Sequence, residues 1–532
     1  MQNNKIMTQT FTDISSQALD ALIERVTQAK EHQLTLSSED CALLLDALVT
    51  LASMQERLND NDITINKLRK LAGMVQSSER LKSNLTKSKK PKQHGRKNKV
   101  QPTQIKPEVI HHKHTDLQKG DSCLECPTGK LYKFEPATFL RITGQSPFKP
   151  EQHVMERLRC NACGAYFTAA VTDDVLADGD VHQKYGYTAR SLMCLYKYFA
   201  GSPFYRQGSM QDLLGVSISA STIFDQIEHV ANAIYPVHKY LTELAATAEH
   251  YHLDDTTNRI LNQTSVMKKS RDGKTRARTG IYTSGLIAKV AEYNIVLFQT
   301  NIGHAGEFID EILQKRPNDL AEPILMSDAL SANQPSKVKV KMSLCNSHAR
   351  RQFYDVHSHF PEEVAWVIEE YGKIWHHESI VQQQNMSAQQ RLVYHQQHSL
   401  PVMYSIANWG KAHLDKGTVE ANSGLGKAIN YYLKHFAGLS AFCSTEGAQL
   451  DNNKIENQLK LIIRDRKNAM FKKTQVGADI GDVLTSLIAT CVEAGANALE
   501  YLTVLQRESE QIRLTPELYL PWNYTAQNQS SD

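Results

Sequence analysis

Residues 249–345 alternate short apolar runs with polar turns, and this alternation constrains the fold more than any other feature of the chain. The runs EHYHLD, TGIYTSGLIAKV and YNIVLFQTNI have the length and β-branched content of strands. AGEFIDEILQKR then has the spacing of a helix, and PILMSD and KVKMSLC again have the pattern of strands. Three strands, a helix and a returning strand predict an α/β domain.

Acidic residues end two of these strands, and a third acid stands on a downstream helix. Asp254 and Asp255 close the first run, Asp328 closes the fourth, and Glu456 lies in the basic stretch LDNNKIENQLKLIIRDRKNAMF. Successive strand side chains point to opposite faces, so only one of Asp254 and Asp255 can serve the site. Hard cations prefer carboxylate oxygens, so we predict a pair of divalent ions that hold a phosphodiester.

The order of these elements matches the start of a ribonuclease H-like fold, in which the first and fourth strands lie side by side. That adjacency would place Asp254 or Asp255 next to Asp328. Residues from about 353 to 440 have a helical pattern rich in Gln and His, and we interpret them as an insertion before the third acid. The predicted catalytic core, including this insertion, spans residues 246–480.

Basic side chains follow Glu456 at helical spacing. Lys460, Arg464 and Lys467 share its face, and Arg466 is a further candidate for contact with DNA. An acid beside a basic stripe suits a site in which the acid binds metal and the bases bind phosphates. The alternative is an ordinary surface salt bridge between Glu456 and Lys460.

Two CxxC pairs give the strongest local signal. Cys123 and Cys126 are followed, after 33 residues, by Cys160 and Cys163. Four thiolates at this spacing predict one structural zinc ion in a ribbon over residues 119–170. A chance cysteine set or redox pairs are the alternative.

The N-terminal region, residues 1–78, predicts a leucine-zipper-like helix. Ser37 and Asp40 are spaced like a capping box, and apolar residues then recur at alternating intervals of three and four from Leu44 to Val75. We predict that this seam joins two or more copies of the chain. An amphipathic helix packed within its own chain is the alternative.

Residues 79–118 predict a flexible basic linker. Nine Lys and Arg and no acid lie between Arg80 and Lys99, a composition that cannot build a core. Such a tether attracts DNA phosphates, or it is a solvated linker without a partner. The candidate DNA contacts here are Lys89, Lys90, Arg96 and Lys97.

Residues 180–245 predict a helical region that resembles a helix-turn-helix. Within SMQDLLGVSISASTIFDQIEHV, a short helix is followed by a turn at Gly215 and by a helix that Ser219 or Ser221 could cap. The alternative is a common helical hairpin without DNA contact. A helical tail is predicted for residues 481–532.

The remaining cysteines predict core or surface thiols in a reducing, cytoplasmic setting. The chain has nine cysteines and no secretory signal, and no apolar stretch approaches the ~20 residues of a membrane span. The thiols outside the CxxC pairs are Cys41, Cys194, Cys345, Cys443 and Cys491.

Several phrases of the sequence resemble the large transposase of the insertion-sequence-66 family. HLDDTT is similar to the family's ADDT or ADET motif, CNSHARRQFYD to CxxHARRxF, and LDNNKIEN followed by RKNAMF to DNNxAER followed by GRKNxLF. LYLPWNY resembles the LLPW tail. Together with the zipper-like helix, the basic linker and the CxxC pairs, the resemblance covers nearly the whole chain.

The resemblance implies a DDE-type DNA transposase, whose catalytic acids would be Asp254, Asp328 and Glu456 with two Mg²⁺ or Mn²⁺ ions. It implies element ends and target DNA as partners, with accessory proteins of the same element, in a bacterial, nucleoid-associated setting. Arg350 and Arg351 would contact phosphate. His348, two positions before Arg350, would contact phosphate, order the metal ions or be structural.

Two other functions remain open from the sequence. One is a zinc-containing, coiled-coil DNA-binding protein whose nuclease core is inactive. The other is a metal-dependent nuclease without strand transfer, since hydrolysis and strand transfer use the same metal site. The expected architecture is therefore a multidomain α/β protein, with a ribonuclease H-like core preceded by a coiled-coil helix, a zinc ribbon and a helical DNA-binding region.

Overall fold

The structure is a computed structural model, and it forms two compact units, Met1–Gly95 and Arg96–Asp532. The residues it describes are 16–32, 34–44, 116, 118–122, 130–131, 146–159, 161, 166–269 and 275–524. Several predictions lie outside these residues: the four cysteines of the predicted zinc site, the linker bases Lys89, Lys90, Arg96 and Lys97, and the zipper seam beyond Leu44.

The first unit contains helix α1, Ser16–Glu31, and a second helix that begins at residue 38. The backbone N–H of Asp40 donates to Ser37 Oγ at 3.0 Å, as the capping pattern predicted. Arg25 of α1 pairs with Asp40 at 2.8 Å, so the start of the second helix is tied to the first.

The second unit opens with a short antiparallel hairpin and a helical region. Its elements are β1 Arg157–Arg159, β2 Tyr166–Thr168, α2 Asp173–Leu176, α3 Tyr187–Cys194, which continues as a π-helical turn Leu195–Phe199, α4 Phe204–Leu213 and α5 Ala220–Ala245. Gly215 has φ +83° in the turn before α5, and Ser219 caps α5 by accepting from the N–H of Thr222. The α5 helix buries one stripe along its length, including Ile227, Ile234 and Leu241.

A five-stranded mixed sheet follows. Its strands are β3 His250–Asn258, β6 Ile281–Val290, β7 Tyr293–Asn301, β8 Ile324–Ser327 and β9 Lys341–Leu344, in the order β7–β6–β3–β8–β9. The strands β3, β6 and β7 pair antiparallel, whereas β8 runs parallel to both β3 and β9. The predicted adjacency of the first and fourth strands is therefore confirmed.

Three further elements belong to this part of the chain. The strands β4 Val266–Lys269 and β5 Thr275–Arg278 form a separate hairpin that the sequence pattern did not predict. Helix α6, Ala305–Leu313, lies between β7 and β8, where the sequence predicted a helix.

Helices fill the chain between the sheet's last strand and Glu456. They are α7 Asn346–Tyr354, α8 Pro361–Gln383, α9 Ala388–His398, α10 Leu400–Asp415, α11 Gly424–Lys434 and α12 Phe436–Leu439. They surround an apolar core of their own, which includes Val367, Tyr371, Met403, Leu425 and Tyr432.

The last helices return to the sheet. They are α13 Asn453–Ala469, α14 Gln475–Glu493, α15 Ala498–Arg507 and α16 Ser509–Leu514. Ile455, Leu459 and Ile462 of α13 pack on Ile287 and Phe298 at one face of the sheet. The opposite face contributes to a second core with α5, α6 and α14.

Helix α14 covers the edge strand β7. Thr490 Oγ1 and Ser486 Oγ accept hydrogen bonds from the backbone N–H groups of Val296 and Phe298, at 3.0 and 2.9 Å. An exposed sheet edge can pair with strands of other chains through its free backbone groups. Here the hydroxyls of α14 accept hydrogen bonds from two of these N–H groups within the same fold.

Helix α14 is also the one helix, among the described residues, with the length and apolar composition of a membrane span. However, 72% of its apolar window is buried inside the chain. It therefore packs as a core helix would, and its composition alone is weak evidence for a membrane.

Candidate functional site

Asp254 and Asp328 come together where β8 ends, beside its neighbour β3. We call this part of the sheet the acidic edge. The register pairs His252 on β3 with Met326 on β8. Continuing this parallel register by two residues brings Asp254 level with Asp328, which directly follows β8. Asp328 Oδ1 accepts from the N–H of Leu330 and from Asn333 Nδ2, each at 3.1 Å, so the loop after β8 holds this carboxylate.

Asp254 and Asp255 serve opposite faces. Asp254 pairs across the ladder with Gly285, and cross-strand partners lie on the same face. Gly285 is covered by α13, because a Cβ there would meet Leu459 and Ile455 at 3.0 and 3.1 Å. Asp255 instead pairs with Nδ1 of His304 at 2.8 Å. Of the two aspartates, Asp254 is the one on the face that carries Glu456.

The beginning of α13 is fixed by buried hydrogen bonds. Asn452 is fully buried, and its amide donates to the carbonyl of Leu253 at 2.9 Å while Oδ1 lies 3.0 Å from Nδ1 of His252. Both partners immediately precede Asp254 on β3. These bonds fix the position of Glu456, in the first turn of α13, relative to Asp254.

The electrostatics of this edge favour a bound cation. Burial, together with the nearby charges of Asp328, Asp255 and Glu456, raises the pKa of Asp254 to about 7. The carboxylates of Asp328, Asp255 and Glu456 place negative charge around the half-buried Asp254, and of these Asp255 is paired with His304. Divalent ions with oxygen preference fit such a donor set.

We predict that Asp254→Asn stabilises the metal-free protein at neutral pH. The pKa of Asp254 rises from 3.8 to about 7 on folding, so ionisation disfavours the folded state as pH increases through this window. The variant should gain roughly 2 to 4 kcal/mol at pH 8 and little at pH 4. Denaturant unfolding in buffer without divalent ions measures this, and an equal gain at both pH values would contradict it.

His348 and Cys345 lie beside Glu456. Nδ1 of His348 is 3.7 Å from Oε1 of Glu456. The donor atoms of Cys345, His348 and Glu456 all lie within 4.8 Å of one another. From the sequence, the role of His348 stays open and Cys345 is predicted to be a core or surface thiol, although the CxxH spacing between them was the available signal.

Tyr431 is a second residue near the site that no sequence motif predicted. It belongs to α11 in the helical segment, and burial together with the charges of Asp328 and Cys345 raises its pKa to about 12. The phenol therefore lies close to the acidic edge. A contact between positions about a hundred residues apart leaves no local pattern.

The predicted basic residues fall into two groups. Lys460, Arg464 and Lys467 are exposed along α13, and Arg464 also donates to the carbonyl of Phe199 at 2.8 Å. Arg466 is half-buried and donates to Thr257 at the end of β3, so it has a structural contact.

Arg350 and Arg351 lie on α7, directly after β9. Arg351 is exposed, whereas Arg350 is half-buried and burial lowers its pKa. Both follow His348 on the helix that begins at the acidic edge.

The chain forms an α/β domain: a mixed sheet is surrounded by many helices, and acids lie at its acidic edge. This architecture is compatible with a transposase domain. Residues 183–480 match a family model described as Transposase IS66 family. The match spans more than half of the 532 residues, and the chain belongs to this family, as the sequence motifs predicted. Membership indicates a transposase role with DNA as the partner, and DDE transposases generally use divalent metal ions.

Curated relatives come from Sinorhizobium fredii and are uncharacterized proteins. The chain is 24% identical to y4hP over 410 residues, which is 72% of this chain and 70% of the relative. It is 32% identical to y4jD over 194 residues, 35% of this chain and 37% of that protein. It is 24% identical to y4qI over 338 residues, 62% of this chain and 60% of that protein.

Proposed function

We propose that the protein is a DDE transposase in which Asp254, Asp328 and Glu456 bind two Mg²⁺ or Mn²⁺ ions. It would cleave the 3′ ends of its element and join them to target DNA. The observation that supports this proposal is the parallel register of β3 and β8, which brings Asp254 level with Asp328, while Asn452 ties the start of the helix that carries Glu456 to β3. These acids come from three separate parts of the chain, and the raised pKa of Asp254, to which Asp328 and Glu456 contribute, supports a shared site.

A ribonuclease H-like core is part of the proposal. The strand order β7–β6–β3–β8–β9 supports it, since the central strand β3 has an antiparallel neighbour on one side and a parallel one on the other. The helices between Pro361 and Leu439 would form the insertion predicted from about residue 353 to 440, and this insertion reaches the acidic edge through Tyr431.

Supporting contacts would keep the carboxylates of Asp254 and Asp328, and the helix that carries Glu456, in place. Asn333 and Leu330 hold Asp328, Asn452 fixes the start of the helix that carries Glu456, and the N–H of Asp255 donates to Asp254 Oδ1 at 2.8 Å. When bound, the divalent ions would supply charge stabilisation and an activated nucleophile. The three carboxylates would hold the ions, and prior positioning of the carboxylates would limit reorganisation during the reaction.

Exposed bases along α13 would hold the DNA. Lys460, Arg464 and Lys467 would contact phosphates, while Arg350 and Arg351 would extend this basic surface from α7. The contacts of Arg466 with the end of β3 favour a positioning role for it. We further propose that the predicted zinc ribbon and basic linker add DNA affinity, and that the zipper-like seam pairs two or more chains.

Cleavage of labelled DNA carrying the element's ends tests this function. Purified protein with Mg²⁺ or Mn²⁺ should nick the ends and yield joined products, and Glu456→Gln should abolish both. Binding of the ends without cleavage, unchanged in the variant and with accessory proteins present, would instead support an inactive DNA-binding protein. Cleavage without joining to an added target would support a nuclease.

A further inference from the structure

Three side chains of different chemistry meet beside the acidic edge. Cys345 directly follows β9, His348 lies one turn later on α7, and Glu456 approaches from α13. Their donor atoms lie within 4.8 Å of one another, and Nδ1 of His348 is 3.7 Å from Oε1 of Glu456. Sulfur, imidazole nitrogen and carboxylate oxygen together form a donor set that zinc prefers and that Mg²⁺ does not.

Two of these donor atoms are buried without a hydrogen-bond partner. Nδ1 of His348 and Oε1 of Glu456 have no hydrogen-bond partner among the residues that the structure describes. An unsatisfied buried polar atom carries a free-energy cost, so two of them facing each other need a ligand or a water to offset it. A metal ion coordinated by both atoms would remove this cost.

The sulfur is positioned to serve as the third ligand. Cys345 is 1% exposed, and its Sγ accepts from the backbone N–H of Asn452 at 3.3 Å. A backbone N–H directed at a cysteine sulfur stabilises the thiolate that a metal requires. The same Asn452 is anchored to β3, so this contact couples the cysteine to the fixed part of the site.

We propose that Cys345, His348 and Glu456 form a zinc site next to the catalytic acids, with a fourth position open to water. On binding, the thiol proton of Cys345 passes to solvent and Zn²⁺ takes the sulfur, Nδ1 of His348 and a carboxylate oxygen of Glu456. Because Glu456 is shared, zinc here withdraws the third carboxylate from the Mg²⁺ site and inhibits DNA cleavage. The inhibition rests on the proposed function, whereas the zinc binding does not.

Zinc content separates this site from the predicted ribbon. Full-length protein equilibrated with zinc and then dialysed should hold one more zinc per chain than Cys345→Ser or His348→Gln. A Co²⁺ titration should show a thiolate-to-cobalt absorption band that Cys345→Ser reduces. Cys443→Ser, which changes another buried cysteine, serves as the matched control and should keep the wild-type zinc content.

The outcomes distinguish the two proposals. Equal zinc content in wild type, Cys345→Ser and His348→Gln, all folded by circular dichroism, would overturn the zinc site. Removal of one of three protein ligands should weaken zinc binding by about 100-fold or more.

Micromolar zinc should inhibit Mg²⁺-dependent cleavage by wild type more strongly than by His348→Gln. Zinc binding without any cleavage activity would leave this site standing and count against the proposed function alone.

Discussion

Asp254→Asn is expected to reduce DNA cleavage by about 10²- to 10³-fold or more, while Asp255→Asn keeps most of the activity. The two residues are neighbours, but the ladder puts Asp254 opposite Gly285 on the face covered by α13 and Asp255 opposite Ser284. Asp255 also has a partner in His304. Loss of the Asp254 carboxylate removes a proposed metal ligand, whereas loss of the Asp255 carboxylate removes a structural contact.

The neighbouring substitution is a matched control because both variants remove one negative charge from adjacent positions on the same strand. Single-turnover cleavage of labelled ends in saturating Mn²⁺ gives the two rates, and gel-shift binding of the same DNA checks that each variant still recognises it. If Asp255→Asn lost more activity than Asp254→Asn, the assignment of the first acid would be wrong.

Lys197→Met is expected to destabilise the fold by about 3 kcal/mol. Lys197 is 6% exposed in the π-helical turn after α3, and it pairs with the buried Asp465 of α13. Among the residues that the structure describes, replacement of the lysine leaves the carboxylate paired with Lys472 alone, at 3.4 Å. A buried charge that loses its closest partner retains the cost of its desolvation, and the pair connects the helical region to the helix that carries Glu456.

The same substitution at an exposed ion pair gives the comparison. Lys239 and Glu243 on α5 are 4.0 Å apart and both largely exposed, so Lys239→Met should change stability by less than about 1 kcal/mol. Urea unfolding followed by circular dichroism measures both variants. A loss of less than about 1 kcal/mol for Lys197→Met would show that this pair does not anchor α13.

Local pattern was sufficient to predict the elements of the sheet. The alternation around Leu253 and Leu286 and the apolar run before Asp328 gave strands close to those observed, and Ser219 was one of two predicted caps. The order of strands then led to the adjacency of the first and fourth. These features depend on residues near one another in the chain.

The surroundings of the acids could not be predicted in the same way. Asn452 bonds to residues 199 and 200 positions earlier, and Tyr431 approaches Asp328 from a helical segment that has its own core. Cys345 resembled an ordinary core thiol because Glu456, whose donor atom lies within 4.8 Å of its sulfur, is distant in sequence. Such contacts depend on how the helices pack, and no periodicity within a single segment records that packing.

Anomalous diffraction from crystals of the protein with its end DNA and Mn²⁺ is the most direct test of the central claim. We predict two manganese peaks among the carboxylates of Asp254, Asp328 and Glu456, with Asp254 contacting at least one of them. Peaks that contact Asp255 but not Asp254, or no peak at this edge of the sheet while DNA is bound, would contradict the proposed catalytic site.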